Sequence, residues 1–435
     1  MAWVTVVFLF VLYMINYLDK SIAGYSATQI IQEMTLSTTE WGLVGSSFFW
    51  FFAIAGVIGA GISDRIGTKK MLMILAICWT VVQAGSLVIT SLPILIMARV
   101  LLGIGEGPTW PVIVSHLSKW FPAERRGFIF ALLTLGASIG SSLFTPALVS
   151  SIEHWGWRWA WAALGAVSFV WVIFWLVGGK EHPDQIDVSK NPVSSKNHSV
   201  QIPTIQSVRK APSLHWSDVR HTLLSKDFLF SFLLYFAQMW GVTFVLVWLP
   251  TYLVNVMKLT STQMSTSIAV IGLLSGLITL LACMLADRLF QRTKLIRRSY
   301  VTVGGISVLT GGILFSLVPL FQSSTILIAL FCLGIGLTTT AGSLASVIGS
   351  TLLPERTGLI MGVMSGLVTL AGMISPLVTG AIVEAAGANL TNGFHQVLLL
   401  NAFIYATSGC LFLLFVKRKE QVKLSHSANG EGKYS

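Results

Sequence analysis

Phe121–Gly127, FPAERRG, returns 232 residues later as Leu353–Gly358, LPERTG, and that correspondence decides how the chain is built. Asp64-Arg65 likewise returns as Asp287-Arg288, 223 residues on, and Pro146 as Pro376, 230 residues on. A nearly constant offset of half a 435-residue chain marks a duplicated unit.

The text around these signposts is apolar. The chain is 54% hydrophobic and 10% charged, outside the range of a soluble globular domain. Stretches long enough to cross about 30 Å of hydrocarbon as helices recur throughout. Twelve spans are expected, at 3–31, 39–63, 71–91, 93–119, 127–151, 157–179, 228–256, 263–286, 299–319, 323–350, 357–386 and 394–416. Each exceeds the roughly ten alternating residues of a membrane barrel strand, so the expected fold is an all-α membrane protein. Its units are two six-helix halves, 1–180 and 227–418, with 181–226 as a cytoplasmic linker and 419–435 as a cytoplasmic tail. The first segment lacks a basic n-region and a convincing cleavage site, and reads as a retained helix. An even number of spans per half inserts both copies in the same orientation, about an axis along the membrane normal. That is the arrangement expected of alternating-access transporters.

The net charge of +11 invites a nucleic-acid reading, but the basic residues fall in alternate loops and on no single module. The positive-inside rule then places both termini and the linker in the cytoplasm, the chain being multi-pass in the plasma membrane, the inner membrane of a bacterium. The partners expected are the bilayer, protons and a small solute, without nucleic acid, and the chain is expected to work as a monomer. Cys78, Cys283, Cys332 and Cys410 all fall in predicted spans, where a disulfide framework has no purpose. No His/Cys cluster has metal spacing, and neither a P-loop nor a dinucleotide fingerprint is present. The expectation is no cofactor, no metal and no enzyme.

Of seventeen acidic residues, only Asp19 and Glu106 lie well inside a span, with Lys20 and Arg99 the only basic ones there. Lys20 follows Asp19 directly. Arg99 precedes Glu106 by one heptad, on the same helix face and about 10 Å away along the axis. Charges at this depth survive only facing a cavity or a partner, which makes them functional candidates by default. The plainer alternative is a permanent Arg99–Glu106 pair, with Asp19 and Lys20 capping a cavity mouth.

Tyr13 and Tyr17 share a stripe with Lys20, and the stripe reads either as a substrate-facing surface or as helix packing. Gln238, Trp240 and Thr243 in the seventh span, Ser346 in the tenth, and Ser365 and Thr369 in the eleventh are candidate partners for substrate hydroxyls. His116, near the end of the fourth, reads as a proton relay or as a packing histidine. Asp64, Arg65, Gly67, Lys69 and Lys70, with Asp287 and Arg288, form a candidate cytoplasmic gate motif. The same charges also serve as topogenic signals.

NYLDK, DRIGTKK, RVLLGIGEGPTWP, KWFPAERRG, GWRWAW and WLPTYLV together resemble the anion:cation symporter family of the major facilitator superfamily. The likeness covers nearly the whole chain except the linker and tail. It implies the major facilitator fold and proton-coupled transport of organic anions such as galactonate, hexuronate or glucarate, with kinship to sialin. It also implies proton coupling at Asp19 and Glu106 and anion binding at Lys20 and Arg99, to which the stripe reading adds Tyr17 as an anion-binding candidate. Three departures bear on the substrate. Lys20 stands where the family usually has Arg and lacks the bidentate fork, Ala60 separates Gly59 from Gly61, and Thr369 stands where sugar-acid members commonly offer Asn.

With both acids ionised the four charges sum to zero, and with both protonated the site is about +2. Protonation and anion binding then reinforce one another, as reciprocal linkage requires. The expected function is import of a small carboxylate, a sugar acid or hydroxy-carboxylate, by proton symport. The alternatives are a proton-driven exporter or antiporter on the same fold, or a membrane sensor, for which the linker supplies no signalling domain.

Overall fold

The computed structural model describes residues 2–121, 123–181, 216–353 and 356–417. Most of the linker, the tail and the motif residues Pro122, Pro354 and Glu355 lie outside them. The described chain is helical: α1 (Ala2–Glu33), α2 (Thr38–Ser47), α3 (Phe52–Ile66), α4 (Thr68–Ala84), α5 (Leu92–Glu106), α6 (Thr109–Trp120), α7 (Ala123–Leu143), α8 (Thr145–Trp155), α9 (Trp157–Gly178), α10 (Trp216–Leu223), α11 (Lys226–Val247), α12 (Leu249–Asn255), α13 (Ser261–Thr293), α14 (Thr302–Leu317), α15 (Ser324–Leu352), α16 (Thr357–Ala385) and α17 (Leu390–Phe415). Among the described residues, eleven helical stretches are long and apolar enough to cross a membrane, and each overlays an expected span. The expected fifth span, 127–151, falls on α7 and α8. The last part of the expected linker is itself a short helix, α10.

Helix starts follow local chemistry. Ser37 and Glu40 close a capping box on α2, Thr260 and Gln263 close one on α13, and Ser225 caps α11. Spans two, four, five and seven are broken midway, at Phe48–Phe51, Gly107–Pro108, Phe144 and Trp248. Three of these breaks carry a proline just beyond them or within them: Pro146 and Pro250 stand in the first turn of the next helix, where a missing N–H costs least, and Pro108 is the N-cap of α6. The break at Phe48–Phe51 lies against α5. A Cβ on Gly103 would sit 1.9 Å from the Phe48 carbonyl oxygen, and one on Gly107 would sit 2.2 Å from that of Phe52. Only glycine permits this approach, which brings the end of α5 into the heart of the first half.

In the first half α1 packs on α7 and α9, and α4 packs on α9 and α5. In the second, α14 packs on α17 and α15, while α11 packs on α16 and α15. Between halves, span two meets span eleven (α2 on α16) and span five meets span eight (α7 and α8 on α13). A shift of six spans exchanges these two contacts, as an axis between duplicated halves requires. Hydrogen bonds join the halves along α2: Thr38 Oγ1 donates to Gly380 O (3.1 Å), the Thr39 amide to Glu384 Oε2 (2.8 Å) and, at its far end, Ser46 Oγ to Met373 O (2.6 Å). Beside them Gly24 lies against Leu246 and Gly42 against Pro376. The bundle is closed there.

Because Gly103 has backbone on its open side, Gly103→Leu should overpack this contact and cost on the order of 1–3 kcal/mol. Thermal unfolding of purified protein checks it. An unchanged melting temperature would contradict the close approach.

Candidate functional site

The site grows from α1, whose residues 16, 19 and 20 turn into the first half. Asn16, Asp19, Glu106 and Arg99 are at most 3% exposed, which leaves partners inside the bundle as their means of compensation. Lys20 Nζ lies 3.4 Å from Glu106 Oε2 and donates to Asn16 Oδ1 at 2.6 Å. Asn16 Nδ2 donates to the same Glu106 oxygen at 2.9 Å. Asp19 is served separately, its Oδ1 accepting from Gln83 Nε2 of α4 at 2.6 Å.

The ion pairing therefore runs across helices. Lys20 pairs with Glu106 of the fourth span and not with its neighbour Asp19. The permanent Arg99–Glu106 pair is not formed among the described residues. The Arg99 guanidinium lies instead 4.8 Å from the centroid of the Phe48 ring, a cation–π contact, with Nε and Nη1 unpartnered among the described residues. Asp19 Oδ2, Gln83 Oε1 and Glu106 Oε1 are likewise without hydrogen-bond partners. The cluster thus holds donors and acceptors in reserve.

Aromatic rings wall the cation. Lys20 Nζ lies 4.6 Å from the Tyr17 centroid and 5.6 Å from that of Phe52. Tyr13 stacks edgewise on Tyr17 at 5.2 Å and packs on Trp110 at 5.0 Å. Tyr13, Tyr17, Lys20, Asp19, Glu106 and Arg99, which the sequence nominated, are brought together in one half.

The second-half candidates divide. Gln238 and Ser346 converge at Gly342. A Cβ on that glycine would meet Gln238 Oε1 at 3.0 Å, and Ser346 Oγ donates to its carbonyl at 2.6 Å. Gln238 Oε1 has no hydrogen-bond partner among the described residues. Ser365 is exposed, beside Gly362 and Gly366, whose Cβ positions meet open space, and Thr369 Oγ1 donates to the Ser365 carbonyl at 3.0 Å. Trp240 and Thr243 are committed elsewhere: Trp240 donates to Asn401 Oδ1 at 2.8 Å, and buried Thr243 donates to carbonyls of its own helix.

The gate motif is built differently from its reading in sequence. Asp64 and Arg65 are exposed and make no ion pair among the described residues, while Asp287 accepts from Tyr300 of its own half at 3.0 Å and Arg288 is exposed. At the start of α4 stands a contact that sequence reasoning missed. Glu181, just past α9, reaches the start of α4 and accepts from the Thr68 amide (2.9 Å), the Lys69 amide (2.6 Å) and Thr68 Oγ1 (2.8 Å). Lys119 completes it with an ion pair at 2.5 Å, and His116 Nδ1 meets Thr68 Oγ1 at 2.8 Å. A carboxylate at a helix N-terminus also gains from the helix dipole. Lys70 is exposed, and Gly67 provides the entry to α4 at φ +91°. Asn16 and Gln83 were missed too. Their signal was polarity inside apolar spans, three residues before Asp19 in one case.

Burial opposes the charge on Glu181, yet its hydrogen bonds from Lys119, the Lys69 amide and Thr68 hold the carboxyl down at about 2, against an ordinary 4.5. A depressed carboxyl stabilises the fold above its unfolded value and loses that contribution as pH falls from 4.5 toward about 2. Glu181→Gln should therefore melt below the wild type at neutral pH, with the gap narrowing through that acid window. A gap independent of pH would count against the clasp.

Comparison places this geometry among known proteins. Residues 9–376 match the family described as Major Facilitator Superfamily. The chain is 26% identical over 388 residues to a hexuronate transporter of Bacillus subtilis, covering 88% of each chain. It is 28% identical over 393 residues to a protein named probable sulfoacetate transporter SauU, from Cupriavidus necator, covering 87% of this chain and 86% of that one. A solved structure of a bacterial homolog to the human lysosomal transporter Spinster, inward-facing and unoccupied, shares the fold with a TM-score of 0.76 at 17% identity, over 96% of this chain and 98% of that one.

Proposed function

This chain belongs to the Major Facilitator Superfamily, a family of transporters and not of enzymes, and from that premise we propose that it imports a small organic anion by proton symport. The substrate class is a sugar acid or hydroxy-carboxylate, and the membrane is the bacterial inner membrane, with both termini cytoplasmic. The names of its relatives support an organic anion, since hexuronate and sulfoacetate are both of that class.

One observation carries the mechanism: Lys20 is shared between Glu106 and Asn16, while Arg99, on the same helix as Glu106, keeps donors unpartnered among the described residues. A substrate carboxylate can take the free Arg99 donors and compete with Glu106 for Lys20. Glu106 then loses its cation inside the bundle. An uncompensated charge at that depth costs roughly 2.5–3.5 kcal/mol or more, enough to favour proton uptake about 100-fold. Asp19, held by the neutral Gln83, is the second proton acceptor. In the loaded site protons neutralise both carboxylates, and the substrate carboxylate offsets part of the charge of Lys20 and Arg99.

Gln238, Ser346 and Ser365 supply polar groups from the second half for substrate hydroxyls. The contacts of α2 with α16 close the bundle at one end, taken here as the outer one, and on this reading the site opens to the outside when those contacts part. Lys20 sets substrate preference, because an ammonium offers a point charge where Arg would demand a planar bidentate partner.

Proteoliposomes loaded and bathed with labelled D-glucuronate test this reading. Wild type should accumulate the anion when an inward proton gradient is imposed. Glu106→Gln should lose that accumulation and retain exchange of labelled for unlabelled anion. Accumulation by Glu106→Gln equal to wild type, or efflux driven by the same gradient, would overturn it, the latter in favour of an antiporter.

A further inference from the structure

We propose that Asn16 is a positioning residue whose side-chain amide couples the charge of Glu106 to the availability of Lys20. The inference rests on the symport reading and names the part that transmits it.

The amide is fully buried between α1 and the end of α5, and its two ends are assigned by chemistry. The Lys20 ammonium can only donate, so Oδ1 faces it, at 2.6 Å. Nδ2 is thereby turned to Glu106 Oε2, at 2.9 Å, and an ionised carboxylate can only accept. The arrangement is self-consistent for one state: Glu106 charged and Lys20 held.

Now let Glu106 take one proton from solution at Oε2. The carboxyl now carries an O–H donor beside the Nδ2 donor, and the amide accepts from it by turning Oδ1 toward it. That turn points Nδ2 at the Lys20 ammonium, again donor against donor, and Lys20 is released to bind an anion. A proton placed on Oε1 avoids the turn but buries an unmet donor, since Oε1 has no partner among the described residues. Run backwards, an anion that draws Lys20 away frees Oδ1 to turn and receive the protonated acid. With one oxygen and one NH2 to offer, the amide serves the charged-Glu106 pairing best in one orientation and the protonated pairing best in the other, and that preference is the coupling.

Other groups act on Glu106 and are not interchangeable with Asn16. Lys20, Asp19 and Tyr13 of α1, Arg99 of α5 itself and Cys78 of α4 all lie within electrostatic reach. Their fields act whatever the state of the amide. Asn16 alone among them bridges Glu106 and Lys20 by hydrogen bonds in the described structure.

The test measures D-glucuronate binding to purified full-length protein by calorimetry, at mildly acidic and mildly alkaline pH. For wild type the acidic affinity should exceed the alkaline one by roughly 5–150-fold, the range of a coupling free energy between sites. In Asn16→Leu that ratio should shrink by about threefold or more, with alkaline affinity rising because Lys20 has lost an acceptor. Asn16→Ala repeats the test with more room, should the leucine variant not give monodisperse protein. A wild-type ratio in either monodisperse variant would overturn the role of Asn16 while leaving symport standing. A wild-type protein whose affinity ignores pH would overturn the symport reading, and this inference with it.

Discussion

The contact of Lys20 with Glu106 is the constraint from which the rest follows. It joins the first span to the fourth inside the bundle, where neither charge can be left to water. To make it, α5 has to end deep in the half and close to the second span, and Gly103 and Gly107 allow that by yielding their side-chain space to the Phe48 and Phe52 carbonyls. The breaks at Phe48–Phe51 and Gly107–Pro108 fall at this crossing. An aromatic wall of Tyr17 and Phe52 then shields the cation without neutralising it.

The charged chemistry is concentrated in one half. Asp19, Lys20, Arg99 and Glu106 come from the first and fourth spans, whereas the second half contributes neutral polar groups such as Gln238 and Ser346. A duplicated scaffold thus carries unlike halves, one holding the charges inside its spans and the other neutral polar groups, and the symport proposal gives protons to the first and the remainder of a ligand to the second. Trp240 and Thr243 belong to the packing of that second half through Asn401 and their own helix carbonyls.

Spans and their order were readable in the sequence, because a bilayer demands long apolar runs and nothing else in the chain imitates them. The four charges inside the spans were readable for the same reason. Their pairing was not. Sequence adjacency joined Asp19 to Lys20 and helical periodicity joined Arg99 to Glu106, but which helix faces which is set by interhelical packing that one sequence does not print. Asn16 and Gln83 escaped notice because a neutral amide in a membrane helix costs far less than a charge and so announces less. Glu181 escaped because its meaning lies in a distant helix end, the amides of Thr68 and Lys69, and not in its own surroundings.

The central claim is that proton and anion binding at this site are linked, and proton release or uptake reads that directly. Purified protein in weakly buffered, mildly acidic-to-neutral solution is mixed with neutralised D-glucuronate, and the pH of the solution is followed with an indicator dye. Linkage through Glu106 and Lys20 predicts that the solution turns more alkaline as the protein takes up protons, with a smaller change for Glu106→Gln. Binding of the anion with no proton uptake, or with proton release, would contradict the account.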